Sequence, residues 1–146
     1  MMPSVPVKIA LAPGCVAPEY ASDGAAGLDL RARVPVDLMP GERALVPTGL
    51  FLEIPPGYEG QVRPRSGLAI RNGLSMVNSP GTIDCDYRGE VQVILINHGQ
   101  ERVWLDAGER IAQLVICPVV RADLQVVESL TETARGGGGF GSTGTR

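Results

Sequence analysis

The chain has 146 residues, 44% hydrophobic and 20% charged, with a formal net charge of -3 and a pI near 5.1. That length suits one domain with a real core, and the acidic balance gives no support for nucleic-acid or membrane-surface binding. An anionic substrate would therefore need a local arginine cluster or a metal ion.

Short runs rich in Val, Ile and Leu alternate with Gly and Pro, which predicts many short strands. In chain order the first are Val7–Leu11, Leu28–Val34, Arg43–Val46, Leu50–Ile54 and Tyr58–Val62, with Pro55-Pro56-Gly57 breaking the ladder before the last of them. Gly67–Asn72 reads as one short helix, with Ser66 as N-cap and Gly73 as its stop. Further strands are expected over Glu90–Asn97, Arg102–Leu105, Ile111–Cys117 and Leu124–Val127. This pattern is that of an all-β sandwich, jelly roll or barrel. The run Val91–Ile96 begins alternating and then turns wholly apolar. A strand apolar on both faces is covered on both sides, by the rest of a sandwich core or by another subunit. Residues 1–130 read as a single β domain and residues 131–146 as a flexible glycine-rich C-terminal arm.

Lys8 is the only lysine and His98 the only histidine. Cys15, Cys85 and Cys117 form no C-x-x-C pair, so neither a zinc site nor a disulfide framework is expected. Reduced thiols point to a cytoplasmic protein. The N-terminal residues lack the basic start and long apolar run of a signal peptide, and no window approaches the roughly 18 apolar residues of a membrane span. His98, in Asn97-His98-Gly99, reads as a turn residue, and Trp104 as core or interface.

Two segments carry groups suited to chemistry. Pro64-Arg65-Ser66-Gly67-Leu68-Ala69 places an arginine, a hydroxyl and a glycine where a strand meets a helix start. Such a junction is either an anion site or an N-capping serine beside a surface arginine. In Gly81-Thr82-Ile83-Asp84-Cys85-Asp86-Tyr87-Arg88-Gly89-Glu90, Asp84 and Asp86 share one side if the segment is extended. They could hold a cation, or one could act as a base toward water. A turn rich in Asp and Gly before a strand is the competing reading. In the arm, Arg135 and Phe140 bracket four glycines and could grip an anion and a flat ring.

With three further segments, these two resemble the five motifs of the trimeric dUTPase family, in order across nearly the whole chain. The others are Ala26-Gly27-Leu28-Asp29-Leu30, Gly108-Glu109-Arg110-Ile111-Ala112-Gln113-Leu114, and Arg135 through Gly144. The resemblance implies a jelly-roll-like subunit, a homotrimer with three shared active sites, and hydrolysis of dUTP to dUMP and pyrophosphate. It further implies that Asp84 orients and deprotonates the attacking water, and that Asp29 helps hold Mg2+ through its water shell. Arg65, Ser66, Gly67 and Gln113 would contact the phosphates, Asn78 would read uracil, and Tyr87 would pack under the deoxyribose. From the arm, Phe140 would stack over the base while Arg135, Ser142 and Thr143 bind the γ-phosphate. From Val127 to Phe140 a glycine-rich segment spans on the order of 20 Å, enough to reach a neighbouring subunit. Two rivals share this fold. One is a dCTP deaminase, whose third motif carries glycine and phenylalanine where this chain has Asp86-Tyr87. The other is a catalytically silent binding module.

Overall fold

The computed structural model describes residues 2–145. Ten strands and one helix follow in order: β1 (Lys8–Leu11), β2 (Leu28–Arg31), β3 (Val36–Leu38), β4 (Arg43–Glu53), β5 (Tyr58–Arg63), α1 (Ser66–Asn72), β6 (Leu74–Met76), β7 (Gly81–Ile83), β8 (Glu90–Asn97), β9 (Val103–Leu105) and β10 (Arg110–Pro118). They form two four-stranded sheets, ordered β1-β4-β8-β6 and β2-β10-β5-β7, with β3 and β9 as a separate pair. All of these pairings are antiparallel. Leu52, Val93 and Leu95 from the first sheet and Leu30, Val62 and Leu114 from the second belong to one buried cluster. The architecture is the expected all-β, jelly-roll-like one with a single short helix.

Several boundaries differ from expectation. Arg43–Val46 and Leu50–Ile54 are parts of one long strand, β4, whose register with β8 shifts between Pro47 and Leu50. The shift is a bulge that Thr48 and Gly49 absorb: Thr48 Oγ1 donates to the Val91 carbonyl at 2.5 Å, and Gly49 takes φ 72°. The three-residue strands β3, β6 and β7 were not expected. Leu124–Val127 is not a strand: it pairs with no edge among the described residues, and Leu124 and Val126 are exposed. Ser66 does not cap the helix either. Arg65 holds the N-cap position with an extended backbone (φ -98°, ψ 128°), and no side chain caps the helix. Gly73 does stop it, in the left-handed conformation that spares glycine a side-chain clash. Trp104 is half exposed rather than core, and all three cysteines are free.

The far end of α1 is fastened by one polar residue. Asn97 is fully buried, and its Nδ2 donates to the carbonyls of Leu38 and Glu101 at 3.0 and 2.8 Å while its Oδ1 accepts from Gly99 N–H at 2.8 Å. His98 N–H in turn donates to the carbonyl of Gly73 at 2.9 Å, which ties this turn to the helix end. Buried polar groups without partners cost about 1–3 kcal/mol each. Asn97→Ala strips a partner from the buried Leu38 carbonyl and from the part-buried Glu101 carbonyl and Gly99 N–H, so it should lower stability by roughly 2–4 kcal/mol in urea unfolding. A loss under about 1 kcal/mol would mean that water replaces the side chain there.

Candidate functional site

Strand β10 is the spine of one candidate cluster. It pairs with β2 on one edge and β5 on the other, so Gln113 lies opposite both Asp29 and Arg63. The Gln113 side chain donates to the Pro64 carbonyl at 3.0 Å, which anchors the turn leading to Arg65, Ser66 and Gly67. Arg65 Nε lies 3.5 Å from Asp29 Oδ1, and Arg110 Nη1 lies 3.3 Å from Asp29 Oδ2. Arg65 also reaches the Arg110 carbonyl at 3.4 Å. Asp29, Arg65 and Gln113 are thus gathered at the junction of two strands and the start of α1, where Ser66 and Gly67 follow Arg65.

Two residues of this cluster had no assigned role. Arg110 brings a second guanidinium to Asp29. Gly27 faces Gln113 so closely that a Cβ there would lie 2.7 Å from Oε1 and 3.1 Å from Cβ of Gln113. Arg110 and Gly27 lie in motifs that the sequence makes visible, but their partners are across strand pairings, which only register reveals.

A second cluster surrounds β7. The β6–β7 connection carries Asn78, and the Asn78 amide lies beside Gly81. Beyond β7 the chain turns: Tyr87 N–H donates to the Asp84 carbonyl at 3.1 Å. The segment is therefore not extended, and Asp84 and Asp86 do not form the same-side strand pair considered from sequence. Arg88 Nη1 donates to the carbonyls of Cys85 and Tyr87 at 2.7 and 3.1 Å, and its other Nη lies 3.5 Å from Glu53. Lys8 pairs with the same Glu53 at 2.9 Å; its hydrogen bond, with the charges of Lys8 and Arg88, holds the Glu53 carboxyl below its usual range. The Asp84 carboxylate is exposed and makes no hydrogen bond or ion pair among the described residues. It borders an open cleft of about 420 Å³ shared with Tyr58, Glu59 and Arg121.

The two clusters do not meet within one chain. The β5–β7 register pairs Ile83 with Gly60, which carries Asp84 to the level of Glu59. From Glu59 to Arg63, the end of β5, the strand advances about 13 Å at roughly 3.3 Å per residue, and the turn to Arg65 lies beyond it. Among the described residues the arm makes no hydrogen bond or ion pair with either cluster. Residues 119–145 carry no helix or strand, Phe140 is fully exposed at φ 51°, and Arg135 Nε donates only to the Gly138 carbonyl, at 2.7 Å. Arg135, Phe140, Ser142 and Thr143 therefore sit together in the arm and apart from the β core.

No group of three His, Cys, Asp or Glu among the described residues could cage a metal ion. Asp29 offers a single carboxylate, already paired with Arg65 and Arg110, so a magnesium ion there would keep its water shell and rely on an anionic ligand for its other contacts.

An antiparallel two-sheet subunit with an arginine–carboxylate cluster at a helix start, and an unpaired aspartate elsewhere, is a jelly-roll protein equipped to handle phosphate. The sequence model of the dUTPase family matches residues 15–144. A protein named deoxyuridine 5'-triphosphate nucleotidohydrolase from Anaeromyxobacter sp. (strain Fw109-5) is 73% identical over 127 residues, 87% of this chain and 86% of that protein. One of the same name from Rhizobium etli (strain CIAT 652) is 56% identical over 142 residues, 94% of this chain and 91% of its own length. Among solved structures, a mutant dUTPase of Staphylococcus bacteriophage 80alpha with dUpNHpp superposes with a TM-score of 0.86 at 28% identity, covering 97% of this chain and 99% of that one. A mutant dUTPase from phage phi11 of S. aureus, described with a structural Mg(II) ion, gives 0.78 at 25% identity, covering 86% and 98%. The chain belongs to the dUTPase family.

The contact between Gly27 and Gln113 makes a direct prediction. Gly27→Ala should push the Gln113 amide off the Pro64 carbonyl and loosen the Arg65 turn. Titration with inorganic triphosphate and magnesium should show binding weakened about tenfold, the scale of one displaced hydrogen-bonding group, with little change in thermal midpoint. Unchanged affinity would remove Gln113 from the anion site.

Proposed function

We propose that this protein hydrolyses dUTP to dUMP and pyrophosphate, lowering dUTP and supplying dUMP, in active sites shared between the subunits of a homotrimer. Family membership supports the reaction, and the names of the relatives favour hydrolysis over deamination. The observation that carries the shared site is the separation of Asp84 from Arg65. A group that activates water must stand within hydrogen-bond reach of it, about 3 Å. The α-phosphorus held by Arg65 must be attacked by that same water, and an Asp84 about 13 Å of strand short of the end of β5, with the turn to Arg65 still beyond, is too far.

In this reading Asp84 of one subunit orients the water, accepts its proton and directs it at the α-phosphorus. An exposed carboxylate with no cation partner is free for that work. Arg65, Ser66, Gly67 and Gln113 of a second subunit bind the phosphate chain and align the leaving pyrophosphate opposite the water. Asn78 hydrogen-bonds uracil from the β6–β7 connection, and Tyr87 lies under the sugar, where a 2′-hydroxyl would collide. Arg135, Ser142 and Thr143 hold the γ-phosphate, and Phe140 covers the base with a stacking contact of roughly 1–3 kcal/mol. The arm would close on the triphosphate and exclude water. Residues 1–130 would then be the β domain and residues 131–146 the closing arm.

Magnesium, when bound to the triphosphate, would neutralise charge on the phosphate oxygens. Asp29 would hold its water shell. Arg65 and Arg110, which neutralise Asp29 in this structure, would then be released toward the phosphates.

Exposed apolar surface supports the assembly. Leu45 lies opposite Ile94 on the outer face of the β4–β8 pair, 61% exposed, and Val77 beside them is 51% exposed. Val120, Leu124, Val126 and Leu130 are also exposed. Apolar patches of this kind mark surfaces that another chain covers. Reduced thiols and an acidic surface suit the cytoplasm.

Asp84→Asn should lower kcat for dUTP by about 10²–10⁴-fold while binding persists, the range for loss of a positioned base. Asp84→Asn and Arg65→Ala, each nearly inactive, should regain activity when co-refolded in equal amounts. Random symmetric assembly leaves about a quarter of the sites with both intact groups, whereas a single-chain site would leave none. Removing residues 135–146 should abolish most turnover yet leave the trimer intact in analytical ultracentrifugation; dissociation would make the arm structural instead.

A further inference from the structure

We infer that Gly89 is a positioning residue that sets sugar selectivity by giving the Tyr87 ring the only place in which it can lie flat against the backbone. This rests on the proposed role of Tyr87 toward deoxyribose. The ring folds back over its own chain: Tyr87 Oη donates to the Glu90 carbonyl at 3.0 Å, three residues on. That path crosses Gly89. A Cβ at Gly89 would fall 2.6 Å from Tyr87 Cζ and 2.9 Å from Cε2, and it would also collide with Oη. The φ of Gly89 lies outside the left-handed region. Any residue could adopt this backbone, so what glycine provides here is space rather than conformational freedom.

The other end of the platform is fixed independently. The Glu90 carboxylate accepts from Gly49 N–H at 2.8 Å in the β4 bulge and lies 3.8 Å from Arg33. The next residue's carbonyl accepts from Thr48 Oγ1 at 2.5 Å. The carbonyl that receives the tyrosine hydroxyl therefore belongs to a strand end clipped to the neighbouring strand. With one edge of the ring bonded to Glu90 and part of it lying on Gly89, Tyr87 remains 45% exposed, and its free side is a rigid floor. A floor excludes a 2′-hydroxyl only if it cannot swing away. A methyl at position 89 would have to lift the ring, because the backbone beneath is held.

The test is a double-mutant cycle read as the ratio of kcat/KM for dUTP to that for UTP, with wild-type protein, Gly89→Ala, Tyr87→Ala and the double variant. Gly89→Ala should lower the ratio by roughly tenfold or more, the scale on which a mispositioned contact loses discrimination. Tyr87→Ala should lower it at least as far. Adding Gly89→Ala to Tyr87→Ala should then change nothing further, because the group it displaces is gone. If Gly89→Ala proves thermally weaker, Tyr87→Ala should restore its midpoint by removing the collision. An unchanged ratio in Gly89→Ala, or independent and additive effects, would overturn the inference. Wild-type protein that turns over no dUTP would overturn the proposed activity instead, so the two failures are distinguishable.

Discussion

The register of β10 between β2 and β5 is the constraint on which the candidate phosphate site depends. Side chains alternate across a strand, so a slip of one residue in either pairing would turn Gln113 to the other face. The same slip would bring Asp29 or Arg63 out of line with it. Leu114 and Ala112 flank Gln113 and are fully buried, so the core enforces the register that the site needs. The polar cluster is held in place by apolar burial on the opposite face, and Gly27 allows β2 to approach closely enough for that arrangement to close.

An acidic protein that must bind a polyanion concentrates its positive charge. Arg65 and Arg110 both lean on Asp29 within 3.5 Å. Guanidiniums held by a carboxylate keep their orientation when no anion is present. Anion binding therefore exchanges one set of oxygens for another rather than ordering two free side chains, which reduces the entropy lost on binding.

The longer strands were legible because their apolar residues are frequent and bounded by Gly and Pro. The strands β3, β6 and β7 were not, since three residues give no periodicity to detect. Leu124–Val127 misled for the opposite reason: its composition suits a strand, but a strand also needs a partner edge, and this chain alone offers none. Ser66 looked like a cap because serine often is one, yet the preceding Arg65 takes the extended backbone. The motif segments were visible in the sequence, and the structure gathers Asp29, Arg65 and Gln113 into one cluster. What no reading along the chain could supply was the distance between that cluster and Asp84. Separation across a sheet is a property of pairing register, and the register becomes apparent only once the strands are side by side.

The pairing of Lys8 with Glu53 has a practical side. Lys8 is the chain's one lysine and its side chain is 85% exposed on β1, while the positive groups around Asp29 are all guanidiniums. Among side chains, an amine-directed reagent therefore finds a single address on this molecule, outside the arginine cluster. A dye, a biotin or a solid support attached there would sit at the same point on every molecule, with the arginine cluster chemically untouched.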